Sequence, residues 1–470
     1  YLNGIAGGLT QLRDLLAGEY DYVSILATDS AGLNIRISRH VKSVSDRTMT
    51  AERGIVIRTS KDGLYSEYAL NDFDPDQAAV TFDKVKAAFE KQHALLKACG
   101  SKVYETPELD DEPLTLFVEK ETEQLPETAD PEKLIAEFSR LSEKGMSLSG
   151  YMIDCIVTGQ STHVCKLFLS RNRDLRQSYV YSEGTIVSVV SKDGNTQYGN
   201  DGIAGLCGPE LFTQFEDRLE DAVRRAEELL RAERIVPGEY EIITSPEISG
   251  LIAHEAFGHG VEMDMFVKNR ALGASYIGKR VGSGLVTMHE GALCAENVTS
   301  YAFDDEGTLA GDVTEIENGI LKTGICDALS AKRLGTVPTG NGKRENFEHK
   351  VYTRMTNTIF DSGTDRLEDM IASVKYGFLL EGEESGMEDP KHWGIQCIVK
   401  TGREIRDGKF TGRLFGPIIM TGYVPDLLGN ISMVSGDRGV TGNGGCGKGY
   451  KEWVKVAAGG PYLKTKARLG

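Results

Sequence analysis

The chain has 470 residues, 40% of them hydrophobic and 26% charged, with a net charge of −17. That is enough chain to bury a sizeable core in roughly two or three domains, and the acidic excess disfavours nucleic-acid backbones and anionic membranes as direct partners. No apolar run reaches a membrane span, no signal peptide is visible, and the eight cysteines (Cys99, Cys155, Cys165, Cys207, Cys294, Cys326, Cys397 and Cys446) form no CxxC, which predicts free thiols in a reducing cytoplasm.

In chain order, Leu9–Ala17 reads as a short amphipathic helix. Tyr22–Thr28 and Leu33–Ser38 read as strands, followed by Val41–Met49, Gly54–Thr59, a Ser60-Lys61-Asp62-Gly63 turn and Leu64–Ala69. A helix is predicted over Pro75–Cys99. The order then recurs: helix Pro131–Lys144, strands Tyr151–Thr158, Val164–Ser170, Gln177–Ser182 and Thr185–Val190, the identical turn Ser191-Lys192-Asp193-Gly194, and helix Pro209–Glu233. Asp-Gly between strand-like runs is a strong hairpin signal, and its return inside the same order predicts a duplication of about residues 7–98 in 131–233. Between the copies, Glu105–Asp130 is acidic, carries three prolines and reads as a linker or covering loop.

From residue 236 strand and turn signals dominate. Glu239–Ile243 is a short strand, Asn318-Gly319 and Asp407-Gly408 read as hairpin turns, and Thr364–Tyr376 is the one clear later helix. The expected class is α+β: a duplicated helix–antiparallel-sheet–helix region over 1–235, then a mainly β, barrel-like domain over 236–470.

That second region opens on a helix starting at Ser245-Pro246 and carrying His254-Glu255-Ala256-Phe257-Gly258-His259. Two imidazoles with a glutamate directly after the first can hold a divalent metal and supply a general base beside it. The spacing sets a condition. Five residues of a regular α-helix turn through about 500°, leaving the rings roughly 140° apart. A shared metal therefore requires an i→i+5 turn, or a helix break at Gly258. Either histidine alone reads as an ordinary helix-end residue; together with Glu255, Gly258 and Gly260 they favour a metal.

A catalytic zinc usually has three protein ligands. Glu262 and Asp264 are near in sequence. Cys446 is distant, on the loop Thr441-Gly-Asn-Gly-Gly-Cys-Gly-Lys-Gly449, whose glycines permit conformations and approaches closed to other residues. The residues alone give Cys446 a small edge over the two carboxylates. The same stretch nearly matches a phosphate loop, but Gly449 stands where Ser or Thr is needed and too little chain follows for a nucleotide-binding domain.

These motifs, with Phe303-Asp304-Asp305-Glu306-Gly307, Arg354-Met355-Thr356-Asn357-Thr358 and Cys446-Gly447-Lys448, resemble the TldD/PmbA metallopeptidases, once called putative modulators of DNA gyrase. The resemblance spans most of the chain and falls on the TldD-like branch, which keeps the metal motif that PmbA/TldE-like partners lack. It implies a cytoplasmic zinc peptidase with one Zn2+ per chain, His254, His259 and Cys446 as ligands and Glu255 as base. It also implies unfolded peptides or leader segments as substrates, and a homodimer or a heterodimer with a PmbA/TldE-like partner; the acidic charge adds the expectation of no direct nucleic-acid or membrane contact. The alternative is a non-catalytic binding partner with a vestigial site.

Weaker expectations attach to other residues. Glu262 is expected to orient a histidine from behind, or to be a solvated helix-end carboxylate. Asp264, Arg354 and Asn357 are candidates for support of the site or substrate contact, with strand pairing equally open for Arg354 and Asn357. Asp304 and Asp305 look like an acid–base pair, but a turn before a strand is the better reading. His289, His349 and His392 are expected to be structural.

Overall fold

The computed structural model describes residues 1–100, 105–448 and 451–470, Lys451 by its backbone only. The chain is α+β. In the N-terminal region helix α1 (Leu2–Ala17) leads into β1 (Tyr22–Ile37), β2 (Lys42–Ser45), β3 (Arg53–Lys61), β4 (Leu64–Leu70) and helix α2 (Ala78–Cys99). After β5 (Leu114–Glu119) come helix α3 (Pro131–Ser147), β6 (Met152–Ser170), β7 (Arg173–Lys192), β8 (Asn195–Gly205) and helix α4 (Phe215–Arg231).

An eight-stranded sheet joins the two runs. β1 and β6 pair antiparallel along its middle, from Ser24 against Ser170 to Ile37 against Val157. Outward lie β3 and β4 on one side, and β7 and β8 on the other. Both Asp-Gly turns join the second and third long strands of their run. Their backbones match: Asp62 and Gly63 have φ of 55° and 74°, Asp193 and Gly194 of 52° and 83°, the positive pair that a tight hairpin requires. Each run buries its own core under its helices, around Leu9, Leu12 and Phe89 in the first and Phe138, Phe212 and Phe215 in the second. These features support our proposal that residues 7–98 and 131–233 are copies of one unit.

Several boundaries differ from the sequence expectation. The two strands expected over 22–38 are one, because the polar Asp29–Gly32 stretch pairs with Thr162–Cys165 instead of turning. The strands over 151–170 and 177–190 are likewise continuous. The 105–130 segment is more than a linker, since β5 adds in parallel to β7. The helix expected over 364–376 is confined to Leu367–Ala372, because Tyr376 already pairs with Arg406 in a strand.

In the C-terminal region β9 (Gly238–Thr244) pairs in parallel with the strand Tyr376–Asp389. That strand pairs with Gly394–Arg406, which pairs with Ile418–Tyr423, which pairs with Ala457–Leu469. The last pairs with β9, and the ring closes as a barrel. Its core holds Ile242, Leu380, Cys397, Val399, Ile418 and Leu469, all fully buried. Among the described residues no helix is long and apolar enough to cross a membrane.

Charged groups tie the sheet to the C-terminal region. Arg58 on β3 bonds Glu67 on β4 at 2.8 Å and reaches Glu306, while Arg344 donates two bonds to Glu67 at 2.6 and 3.0 Å. Burial opposes the charge on Glu67, but Arg58 and Arg344 outweigh it and hold its carboxyl at about 2. A depressed pKa contributes stability above the ordinary carboxylate value of 4.5, and that stability is lost as pH falls through about 2. Glu67→Gln is therefore expected to lower stability by about 1–3 kcal/mol at pH 7. The gap from the parent should narrow steadily below pH 4.5, read as denaturation midpoints across that range.

Candidate metal centre

Helix α5 (Pro246–Ala253) leaves the end of β9 and carries the histidines. Proline at its first position fits a helix start, and Glu247 in the first turn complements the exposed N–H groups. Ile248, Ile252, Ala256 and Phe257 bury one face of this segment against the barrel, roughly 1.5–3 kcal/mol for each large side chain. Gly250 lets the helix lie directly on the Ala457–Leu469 strand, where a Cβ would stand 2.6 Å from the Gly459 nitrogen.

The helix then changes pitch. His254–Gly258 form a π turn, and the His259 N–H donates to the His254 carbonyl, an i→i+5 bond. The imidazoles are brought together, with ring centroids 5.1 Å apart and planes at 80°. Gly258 allows the turn to press on Met355, whose sulfur would lie 2.3 Å from a Cβ there.

Cys446 arrives from the glycine-rich loop. Its Sγ lies 3.1 Å from His259 Nε2, and single donor atoms of His254, His259 and Cys446 all fall within 4.8 Å of one another. The loop is pinned by the N-terminal sheet. Asn443 Nδ2 donates to the Gly184 and Ile203 carbonyls at 2.9 Å each, and the Gly444 N–H donates to Glu183 at 2.9 Å. Gly444 has φ of 111°, closed to most side chains. Burial opposes ionisation of the Cys446 thiol, yet His259 and His254 bring its pKa well below the ordinary thiol value.

The two acidic alternatives lie elsewhere. Glu262 Oε2 sits 3.2 Å from His259 Nδ1, on the side away from the thiol, and its other oxygen pairs with Arg354 Nε at 3.2 Å. Asp264 accepts from Lys448 at 2.7 Å and Lys268 at 2.9 Å. Arg354 is 0% exposed and donates through Nη2 to the Cys446 carbonyl and Sγ, both at 3.0 Å, so it lies beneath the thiol. Asn357 bonds the Gly291 and Ala295 carbonyls and the Thr299 hydroxyl, holding a loop away from the cluster. Lys448, of the Cys446-Gly447-Lys448 stretch, joins these side chains by pairing with Glu262 at 3.2 Å and Asp264 at 2.7 Å, contacts that no local sequence signal marks.

Asp304 forms a turn, accepting from the backbone N–H groups of Glu306, Thr308 and Gly342, while Asp305 pairs with Lys166. His289, His349 and His392 pair with Asp312, Glu452 and Asp389. Glu345, His349 and Glu452 also gather donor atoms, but the imidazole already bridges both carboxylates at 3.4 and 3.1 Å.

A cavity of about 980 Å3 opens on the cluster. Glu255 lines it, and burial raises its carboxyl pKa. Opposite stands Gly386 of the Tyr376–Asp389 strand, where a Cβ would lie 2.5 Å from Glu255 Cγ and 2.7 Å from its Oε1. No sequence signal marks Gly386, because the barrel alone brings it to the histidines.

A barrel-borne π turn that delivers two imidazoles to a buried thiol defines a protein with a soft, zinc-type donor set. Residues 237–466 match the PmbA/TldA metallopeptidase C-terminal domain. It is 31% identical over 281 residues to a metalloprotease of Methanocaldococcus jannaschii, covering 60% of this chain and 61% of that protein. It is 28% identical over 437 residues to a metalloprotease TldD homolog of Buchnera aphidicola, covering 88% and 86%. A zinc metalloprotease TldD homolog of Saccharolobus solfataricus is 29% identical over 61% of this chain and 62% of its own length. In structure it is similar to TldE from Thermococcus kodakarensis, with TM-score 0.75 and 19% identity over 98% of this chain and 100% of that one.

Because the Gly250 contact is with backbone, Gly250→Ala is expected to push the histidine helix off its strand. A loss of about 1–3 kcal/mol in stability follows, measured by denaturant unfolding. Gly284→Ala, with open space around it, is the control and should leave the midpoint almost unchanged.

Proposed function

We propose that the chain is a zinc-dependent peptidase acting on unfolded peptides or leader segments, with His254, His259 and Cys446 as ligands and Glu255 as the general base. The observation that carries this reading is the i→i+5 turn, which puts two imidazoles and a thiol within reach of one ion with a glutamate beside them. The donor set suits zinc, which takes imidazole nitrogen and thiolate sulfur readily. Zinc bound there supplies a Lewis acid that acidifies water and polarises a peptide carbonyl.

The protein's own groups divide the remaining work. Glu262 holds the Nδ1 side of His259 and so fixes which nitrogen faces the cluster. Arg354 and the imidazoles favour the thiolate form of Cys446. Glu255 takes the proton from the attacking water and passes it to the leaving amine. Its raised pKa keeps it basic enough to accept that proton and ready to return it. Gly386 leaves the Glu255 carboxylate room, and the cavity admits an extended chain but no folded domain. The reading carries with it a dimer, either of this chain or with a TldE-like partner, and a cytoplasmic site of action.

The ligands and the base have separable roles. Glu255→Gln is expected to keep zinc and to lose turnover by about 10²–10⁴-fold, because an amide cannot accept the proton. Cys446→Ser is expected to lose zinc affinity first, because a serine hydroxyl stays protonated. Zinc content and cleavage of an unstructured peptide, measured on both variants beside the parent, check this. Near-parental turnover in Glu255→Gln removes Glu255 from the mechanism. Parental zinc affinity in Cys446→Ser removes the thiol from the ligand set.

A further inference from the structure

The carboxylates that line the cavity are not equivalent. Glu183 is met by Lys455, Glu262 by Arg354 and Lys448, and Glu384 by the Tyr198 hydroxyl at 2.6 Å. Glu383 has a long contact of 3.4 Å with the Thr441 hydroxyl. Among the described residues Glu388 has no such partner: both carboxylate oxygens are buried and neither has a hydrogen-bond partner.

Its position is specific. Glu388 follows Gly386 by two residues on the Tyr376–Asp389 strand, so both point to the face that meets Glu255. Cross-strand pairing with Ile395 fixes the register. Glu388 Oε1 lies 3.6 Å from the Cβ position of Gly260, the residue directly after His259. The Trp393 N–H is also unpartnered and lies 3.7 Å from the same point. Even with that N–H assigned to one oxygen, the other has no donor. Burial pushes the Glu388 carboxyl up to about 9, and the nearby Glu255, Asp389 and Glu262 push the same way, with His259 alone opposing.

A carboxyl placed so has lost its water and gained no partner, an arrangement that costs free energy in the empty protein. The cost is offset if the partner arrives with the substrate: a cationic group beside the carboxyl favours its ionised form, and the proton it holds passes to solvent. We propose that Glu388 is a specificity-determining residue that receives a cationic group of the peptide, a lysine or arginine side chain or the N-terminal ammonium, beside the scissile bond. This rests on the peptidase reading and deepens it: the preferred substrate is a cationic peptide. The net charge of −17 works in the same direction, drawing such peptides towards the protein.

The experiment uses the full, zinc-loaded chain in its Glu255→Gln form, which holds peptide without turning it over. Fluorescent peptides differing only by lysine or norleucine are compared at each position in turn, each with a free or an acetylated N-terminus. The expected result is about tenfold or tighter binding of the lysine peptide at one register, the scale of a desolvated charge pair. If lysine and norleucine peptides instead bind alike and acetylation weakens both about tenfold, the ammonium is the group received, and the proposal stands. Adding Glu388→Gln should abolish the difference while leaving norleucine-peptide affinity within about twofold, and Glu388→Lys should reverse it. Equal affinity for all peptides, or a preference that survives Glu388→Gln, overturns the proposal. Hydrolysis by the parent is assayed separately. No hydrolysis with the preference intact overturns the peptidase reading alone, and hydrolysis without the preference overturns this one alone.

Discussion

The hydrogen bond from the His259 N–H to the His254 carbonyl sets the geometry on which the site depends. With the usual i→i−4 bond the two rings would diverge by roughly 140°, and the thiol of Cys446 could meet one of them but not both. A single wider turn returns the second imidazole to the side of the first. Such turns are rare and need support from their surroundings. Here Phe257 and Ala256 are fully buried within the turn, Gly258 fits against Met355, and Gly250 lets the preceding helix seat on a barrel strand. The distortion is therefore held by packing on the barrel, and the metal motif and the fold cannot be separated.

The thiol depends on a different part of the chain. Asn443 and Gly444 tie its loop to carbonyls and a carboxylate of β7 and β8, and Lys455 closes the contact by bonding both Glu183 and the Gly444 carbonyl. The N-terminal sheet thus positions one of three donors although it contributes none of them. Beneath the donors lies a buried charge network: Glu262 between His259, Arg354 and Lys448, and Asp264 between Lys448 and Lys268. Removing one member leaves another buried and unpaired, which costs far more than the pair contributes. That asymmetry makes the network a rigid support for the His259 ring.

Much of this was legible in the sequence, and for physical reasons. Strand alternation and paired Asp-Gly turns are local signals, so the repeated N-terminal order could be read directly. The helix distortion followed from the mismatch between five residues and the helical repeat. Continuity of β1 across Asp29–Gly32 was not legible, because the ladder partners that keep those polar residues extended lie more than a hundred positions later on β6. The residues alone gave Cys446 only a small edge over Glu262 and Asp264, because both carboxylates lie near the histidines in sequence; the fold sends both to lysine and arginine partners. Gly386 and Glu388 carry no local signal. They matter because barrel closure sets their strand against the π turn.

Buried carboxylates in this protein separate by whether they are satisfied. Asp304 accepts three backbone N–H groups, and Asp305 and Glu306 face Lys166 and Arg58, so their burial completes a joint between the sheet and the C-terminal region. Glu315 lacks any donor among the described residues, but it does not line the cavity, and burial raises its carboxyl pKa well above the ordinary value. Glu255 and Glu388 combine features that none of these four has together: burial of the residue or of its carboxylate oxygens, a raised pKa, and a place in the wall of a cavity beside two imidazoles and a thiol. Groups left this way destabilise the empty protein by a few kcal/mol, and packing elsewhere must offset that cost. The same low dielectric that makes them costly when alone strengthens any charge brought to them. One cavity can thus hold Glu255 on the π turn and Glu388 on the facing barrel strand, each desolvated beside the imidazoles.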